Sequence, residues 1–348
     1  MNVNMAGSYI TLLLLAATVC GGLEDGTFAK TLRMPGATPE HSEALLCHAV
    51  KMEDDPTYIV AYEPHASGEI AHHMMLYGCE EPGSTDEMWN CEETRGGGRV
   101  CADGAGQDSR QVVYAWALDA PAFSMPEDVG FRVGGTTQIK YIVLQLHYKN
   151  KLPVDTKDNS GVTLHMQRKQ PKFQAGFYVL GTWGAIPPHV ENYYMETACE
   201  YADASPMYPI AYRTHSHSLG VVTSGYRIRG NHQWTEIGRM SPQRPQMFYN
   251  ATTPGMSVLP GDVLAARCTM TSHRDTVTKI GETNADEMCN FYIMYYTART
   301  DDLTVRWCFQ QNYHWEEHFS SIPDKASSLD GIPAADDDVR DHHMHRHD

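Results

Sequence analysis

Between residues 57 and 297 the apolar positions fall in short runs with no helical stripe. Examples are 57–64 (TYIVAYEP), 70–78 (IAHHMMLYG), 112–118 (VVYAWAL), 139–148 (IKYIVLQLHY), 161–167 (GVTLHMQ), 175–182 (AGFYVLGT), 221–230 (VVTSGYRIRG), 262–271 (DVLAARCTMT) and 290–297 (NFYIMYYT). These runs are rich in β-branched and aromatic residues, and Gly, Pro, Asn and Asp separate them. No apolar pattern of period 3.6 competes. Short strands at this density predict an all-β chain, and its length predicts two antiparallel β-sandwich, jelly-roll-like domains. The polar, proline-interrupted stretch RKQPK at 168–172 marks the boundary, giving an N-terminal domain at 23–172 and a C-terminal domain at 173–323.

The ends of the chain read differently. From Tyr9 to Cys20 an apolar block is too short for a membrane span and suits a signal-peptide core, so 1–22 is expected to be a signal peptide. No later stretch reaches membrane-spanning length, and no membrane span is expected. After Pro323 the residues are acidic, His-rich and aperiodic, so 324–348 are expected to form a disordered tail.

Composition then narrows the chemistry. The 348 residues hold 27 Lys+Arg against 43 Asp+Glu, a net charge of −16, and no basic run, which argues against a nucleic-acid partner. Of 9 Cys, one leaves with the signal peptide; the other eight, in an exported chain, predict four disulfides. Four of them lie before residue 102 and four after residue 198, so pairing within each group is the simplest arrangement. Asn250-Ala251-Thr252 is a glycosylation sequon, which fits the secretory route and either secretory granules or the extracellular space.

The 18 His and 18 Met raise the question of a metal. In the run 139–148, Gln145 and His147 share one face of a strand, and His215 and His217 share a face by the same period of two. His72 and His73 are successive, so their side chains diverge unless the strand bulges there. Each histidine alone is an ordinary polar residue; two pairs plus His147 predict a metal site. Imidazole suits zinc and copper alike, whereas a thioether ligand would select copper. Composition leaves open which Met would serve.

The segments His72-His73-Met74, Gln145-Leu146-His147-Tyr148, Arg213-Thr214-His215-Ser216-His217 and Asp286-Glu287-Met288-Cys289-Asn290 make the chain resemble the ascorbate-dependent type II copper monooxygenases, in their peptidylglycine-hydroxylating branch. FRVGG at 131–135, SGYRIR at 224–229 and LAARC at 264–268 add to the likeness. The resemblance implies two coppers per chain, one in each domain and both facing an interdomain cleft, with ascorbate as reductant and dioxygen as co-substrate. It assigns His72, His73 and His147 to an electron-supplying copper, and His215, His217 and Met288 to the copper where oxygen and substrate meet. It counts Gln145 with that second set as catalytic. It also implies that Arg213, with Asn290 and Tyr292, binds the C-terminal carboxylate of a glycine-extended peptide. A guanidinium suits that task because its fixed fork is bidentate. The family pattern pairs Cys47 with Cys91, Cys79 with Cys101, Cys199 with Cys308, and Cys268 with Cys289. The chain departs from the family with Leu45 in place of a frequent Tyr, Ser160 in place of an extra Cys, and an extra residue around Asn231-His232 that implies a longer hairpin turn.

The activity so implied is hydroxylation of the α-carbon of a C-terminal glycine, the first step of peptide amidation in neuropeptide and hormone maturation. Few residues follow Pro323, so a separate peptidyl-hydroxyglycine lyase is expected to act on the product. Two rivals remain at this level. One is a dopamine- or tyramine-type β-hydroxylase of the same superfamily; the other is a secreted copper-binding protein without catalysis.

Overall fold

A computed structural model describes residues 26–332 apart from 93–95, 103–109, 231, 282, 284, 300 and 302. The expected signal peptide lies outside the described residues, as does most of the expected tail. Strands dominate, and the helical pieces among the described residues are two short 3-10 turns, Trp315–Glu317 and Asp324–Ser327. The all-β expectation holds.

In the N-terminal half, one sheet runs Thr27–Arg33, Gly161–Gln167, Thr57–His65, Val129–Val133. Facing it is a sheet ordered Trp89–Asn90, Leu45–Lys51, Tyr141–Tyr148, Ala71–Cys79, Gln111–Ala117. In the C-terminal half, Phe173–Trp183, Asn290–Thr297, Met207–His215 and Tyr249–Asn250 adjoin in that order, and Arg306–Gln311 pairs in parallel on the free side of Phe173–Trp183. The opposing sheet runs Val190–Glu200, Val263–Ser272, Gly220–Arg229, Gln233–Met240. Among the strands of six or more residues, Thr27–Arg33, Leu45–Lys51, Val190–Glu200 and Arg306–Gln311 escaped the periodicity reading, as did the shorter Trp89–Asn90, Val129–Val133 and Tyr249–Asn250. Of the four longer ones, three pair with a neighbour along one side only, and the first half of Val190–Glu200 is polar and largely exposed.

The two sandwiches are joined by a strand pairing. Val129–Gly130 pairs in parallel with Phe173–Gln174, so one sheet passes from the first half into the second at the expected boundary. Phe177 packs on Phe131 of the first half at 5.6 Å and on Phe248 at 5.4 Å between ring centroids. A single apolar cluster, from Leu32 to Met294 and Cys308, fills both sandwiches. That shared core keeps the two halves in a defined relation.

The cysteines pair as the family pattern implied: Cys47–Cys91, Cys79–Cys101, Cys199–Cys308 and Cys268–Cys289. The third links the two facing sheets of the C-terminal half. The tail needs correction at its start. Asp324–Ser327 is ordered, Ala326 is fully buried, and its carbonyl accepts a 2.8 Å bond from the Ser224 hydroxyl. Arg239 binds the carbonyls of Ser328 and Asp330, and Arg267 reaches the Ser327 hydroxyl at 3.3 Å. A polar stretch without periodicity docks here because two buried guanidinium groups find partners on it, Arg239 in backbone carbonyls and Arg267 in the Ser327 hydroxyl.

Candidate metal centre

His72 and His73 sit on Ala71–Cys79, and His147 lies on the adjoining strand directly opposite His73. The pairing register slips between Ala71 and His73. This is the bulge that two successive histidines require if both are to turn toward one point. The three rings approach to 4.7, 5.4 and 5.7 Å between centroids, and one nitrogen from each lies within 4.8 Å of the others. Nδ1 of His73 and Nδ1 of His147 are 3.4 Å apart. Donors each about 2 Å from a common ion stand about 3.4 Å apart, so the spacing fits a metal. His147 meets the Glu43 carboxylate through Nε2 at 2.9 Å, which leaves Nδ1 facing the other histidines. Carboxylate partners orient metal-binding imidazoles in just this way. Burial is the first cause that pulls His73 well below the ordinary imidazole value and lowers His147 too. Both rings are therefore neutral, with lone pairs for a metal, at physiological pH.

The second cluster is built around two strand ends, that of Met207–His215 and the start of Asn290–Thr297. Met207–His215 terminates at His215, so His217 is not on the strand as the period-two reading expected; it lies in the turn that follows. The two rings nevertheless stand 5.6 Å apart, nearly edge to face. His215 Nε2 is 3.2 Å from Met288 Sδ, and the amide of Asn290 approaches the same sulfur at 3.8 Å. His215 Nδ1 meets the side-chain oxygen of Gln246, whose NH2 donates to the carbonyls of Ser216 and Pro242 at 3.1 and 2.9 Å. With its NH2 so engaged, Gln246 presents only an acceptor, and His215 must carry its proton on Nδ1. His217 Nδ1 lies 3.1 Å from the Asp286 carbonyl, which fixes the same tautomer there. Both Nε2 lone pairs are left for a metal beside a thioether. Burial, reinforced by Arg213, pushes His215 down to about 3.

Glu287 joins the two loops. Its carboxylate is fully buried and accepts the backbone N–H of His217, of Leu219 at 2.8 Å and of Met288 at 2.8 Å. Neither Glu287 nor Gln246 was singled out from the sequence. An acid beside Met288 in a motif was the only signal available for the first, and the second lies in an unremarkable polar loop.

Arg213 is 5% exposed. Its Nε donates to the Gln246 carbonyl at 2.7 Å, Nη2 reaches the Gln246 side-chain oxygen at 3.5 Å, and the guanidinium lies 5.1 Å above the Tyr292 ring. None of these partners is an anion. Gln145, by contrast, is buried with its amide against Cys91 Sγ at 3.5 Å. The contact it makes is to the disulfide. Asn250 is exposed at a strand end.

Beside burial, Arg213 and His215 of the other half contribute to lowering His73. Residues 31–154 match the family described as copper type II ascorbate-dependent monooxygenase, N-terminal domain, and residues 173–319 match the C-terminal domain of the same family. The chain belongs to the copper type II ascorbate-dependent monooxygenases. It is 40% identical over 329 residues to the peptidyl-glycine alpha-amidating monooxygenase of Mus musculus, covering 93% of this chain and 32% of the relative. The A form from Xenopus laevis is 40% identical over 301 residues, covering 85% and 31%. Dopamine beta-hydroxylase of Canis lupus familiaris is 30% identical, covering 77% and 45%. The chain thus spans about a third of the length of its amidating relatives. Solved structures align only loosely, as with the major capsid protein P2 of bacteriophage PM2 at 11% identity, 79% and 100% coverage, and a TM-score of 0.27. The monooxygenase family uses copper and ascorbate, and the donor sets suit that metal: three imidazoles on one side of the cleft, two imidazoles and a soft thioether on the other. No helix among the described residues is long and apolar enough to cross a membrane.

Proposed function

We propose that the chain hydroxylates the α-carbon of a C-terminal glycine in glycine-extended peptides, the first step of peptide amidation. The observation that carries this reading is Arg213, a buried cation without an anionic partner among the described residues, two positions from His215 on one strand. A buried unpaired guanidinium is costly unless a ligand supplies the charge. A terminal carboxylate does so bidentately, and Tyr292 and Asn290, opposite Arg213 and His215 in the pairing register, complete the cradle. The glycine α-carbon then lies next to His215, His217 and Met288. Copper, when bound at the two clusters, supplies dioxygen activation and electrons from ascorbate. Arg213 and Tyr292 orient the substrate, Gln246 and Glu287 hold the ligand loops, and His72, His73 and His147 form the electron-supplying site. Gln145 is assigned to the same machinery through the strand it shares with His147. The hydroxyglycine product passes to a peptidyl-hydroxyglycine lyase. Four disulfides and the sequon at Asn250 support action in the secretory pathway, in granules or outside the cell.

Ascorbate-dependent oxygen uptake with a glycine-extended peptide and with tyramine tests this directly. Uptake with the peptide alone is expected. Uptake with tyramine alone would establish the phenethylamine hydroxylase, which Arg213 disfavours by repelling an amine, and uptake with neither would leave a copper-binding protein. Arg213→Ala should weaken peptide binding by about 2 to 4 kcal/mol, the scale for losing one partner of a buried charge pair.

A further inference from the structure

Two tryptophans stand out on the surface. Trp183 is 54% exposed and Trp307 is 56% exposed, and Phe309 packs between them with ring centroids at 5.4 and 5.8 Å. Leaving this much aromatic area in water is unfavourable, and such a patch marks a contact surface. The pairing register says what it adjoins. Trp307 lies opposite Val179, Val179 opposite Tyr292, and Tyr292 opposite Arg213. One step along, Phe309 lies opposite Gly181, Gly181 opposite Asn290, and Asn290 opposite His215. Partners across a sheet share a face. The aromatic strip and the Arg213/His215 site are therefore two ends of one sheet face.

Gly181 makes the surface continuous. A Cβ at this position would meet the Phe309 ring at 2.5 Å and Asn290 Oδ1 at 2.6 Å. Only glycine lets that ring settle beside the asparagine that touches Met288.

From this we infer that Trp183, Trp307 and Phe309 form an aromatic shelf that takes the apolar side chains two to four residues before the C-terminal glycine of the substrate. The inference rests on the proposed function, because the glycine must be anchored at Arg213. Three strand spacings separate Met207–His215 from Arg306–Gln311, about 14 Å, and an extended peptide covers that in about four residues. A peptide with its carboxylate on Arg213 would then lay its preceding side chains over the strip. Apolar and aromatic side chains are favoured there, because aromatic pairs gain beyond the area they bury.

The test compares two acetylated tetrapeptides, Phe-Phe-Ala-Gly and Ala-Ala-Ala-Gly, on the full chain loaded with copper. Phe309→Ala and Trp183→Ala should each raise KM for the first about three- to tenfold, with kcat unchanged and KM for the second unchanged. Trp183 is exposed, so its variant keeps the fold even if the half-buried Phe309 proves harder to replace. Equal effects on both peptides, or none on either, would overturn the shelf while leaving the glycine hydroxylase intact. Loss of a dimer in sedimentation with KM unchanged would make the strip a contact between two copies and also overturn it. If the unaltered chain turned over neither peptide, the hydroxylase reading would fail and the shelf with it.

Discussion

At His215 the tautomer is set by a neighbour, because Gln246 offers an oxygen while its NH2 is held by two carbonyls. Glu287 acts one layer further out. Its two oxygens serve three backbone N–H groups from the His217 turn and from Met288, so one buried carboxylate sets the distance between those two residues. Glu287→Gln keeps the volume but turns an NH2 toward an N–H, at a cost of about 1 to 3 kcal/mol. The expected result is a lower melting temperature and about one copper per chain where the unaltered protein holds two, read by elemental analysis. Retention of both coppers with unchanged affinity would show that the loops hold themselves. At this scale, the imidazoles were legible as residue types at suggestive spacings, whereas Arg213 was pointed to by the family resemblance. Met288 was not legible either: nothing in periodicity separated it from the other methionines, and the family resemblance alone pointed to it.

Strands bring those residues together, and their register carries most of the site. The bulge at His72 converts a diverging pair into a converging one, and the strand Asn290–Thr297 lies between Val179 and Arg213 so that Tyr292 supports the guanidinium. That strand is pinned from behind. Phe291 is fully buried toward the opposing sheet, where a Cβ on Gly225 would meet its ring at 2.1 Å. Gly225→Ala should therefore destabilise the fold by about 1 to 3 kcal/mol, the usual cost of overpacking, seen as a lower urea midpoint. Copper content should stay at the unaltered value, since no ligand moves out of reach. An unchanged midpoint would mean that the sheets separate easily. The sequence pattern found the buried strands well, because both faces are apolar. It missed three longer strands with a single paired side, and also Leu45–Lys51 and Val129–Val133, which pair on both sides, and it carried His217 too far, because a period of two does not reveal where a strand stops.

For the whole molecule, the shared sheet and core fix which faces meet in the cleft, and burial there sets the behaviour with pH. His215 is pushed down to about 3 and His73 lies well below the ordinary 6.5, both chiefly by burial. Between pH 6.5 and about 3 the unfolded chain binds protons that the folded chain excludes, so stability falls as pH falls through that window. The melting temperature of the metal-free protein should drop from pH 7 to pH 4.5, and His215→Asn should flatten the slope. A melting temperature independent of pH over that range would mean that both rings are hydrated.

By itself, the sequence determined the all-β class, an even set of cysteines for disulfides, and a supply of imidazoles at strand spacings. These are local matters, because alternation, turn residues and residue chemistry are properties of neighbours along the chain. Only the tertiary structure decided that one sheet runs through both halves, that Glu287 and Gln246 hold His215, His217 and Met288, that the C-terminal segment docks on Arg239 and Arg267, and that an aromatic strip shares a face with Arg213. Each depends on register and on contacts between residues tens to hundreds of positions apart, set by packing the whole chain into one core.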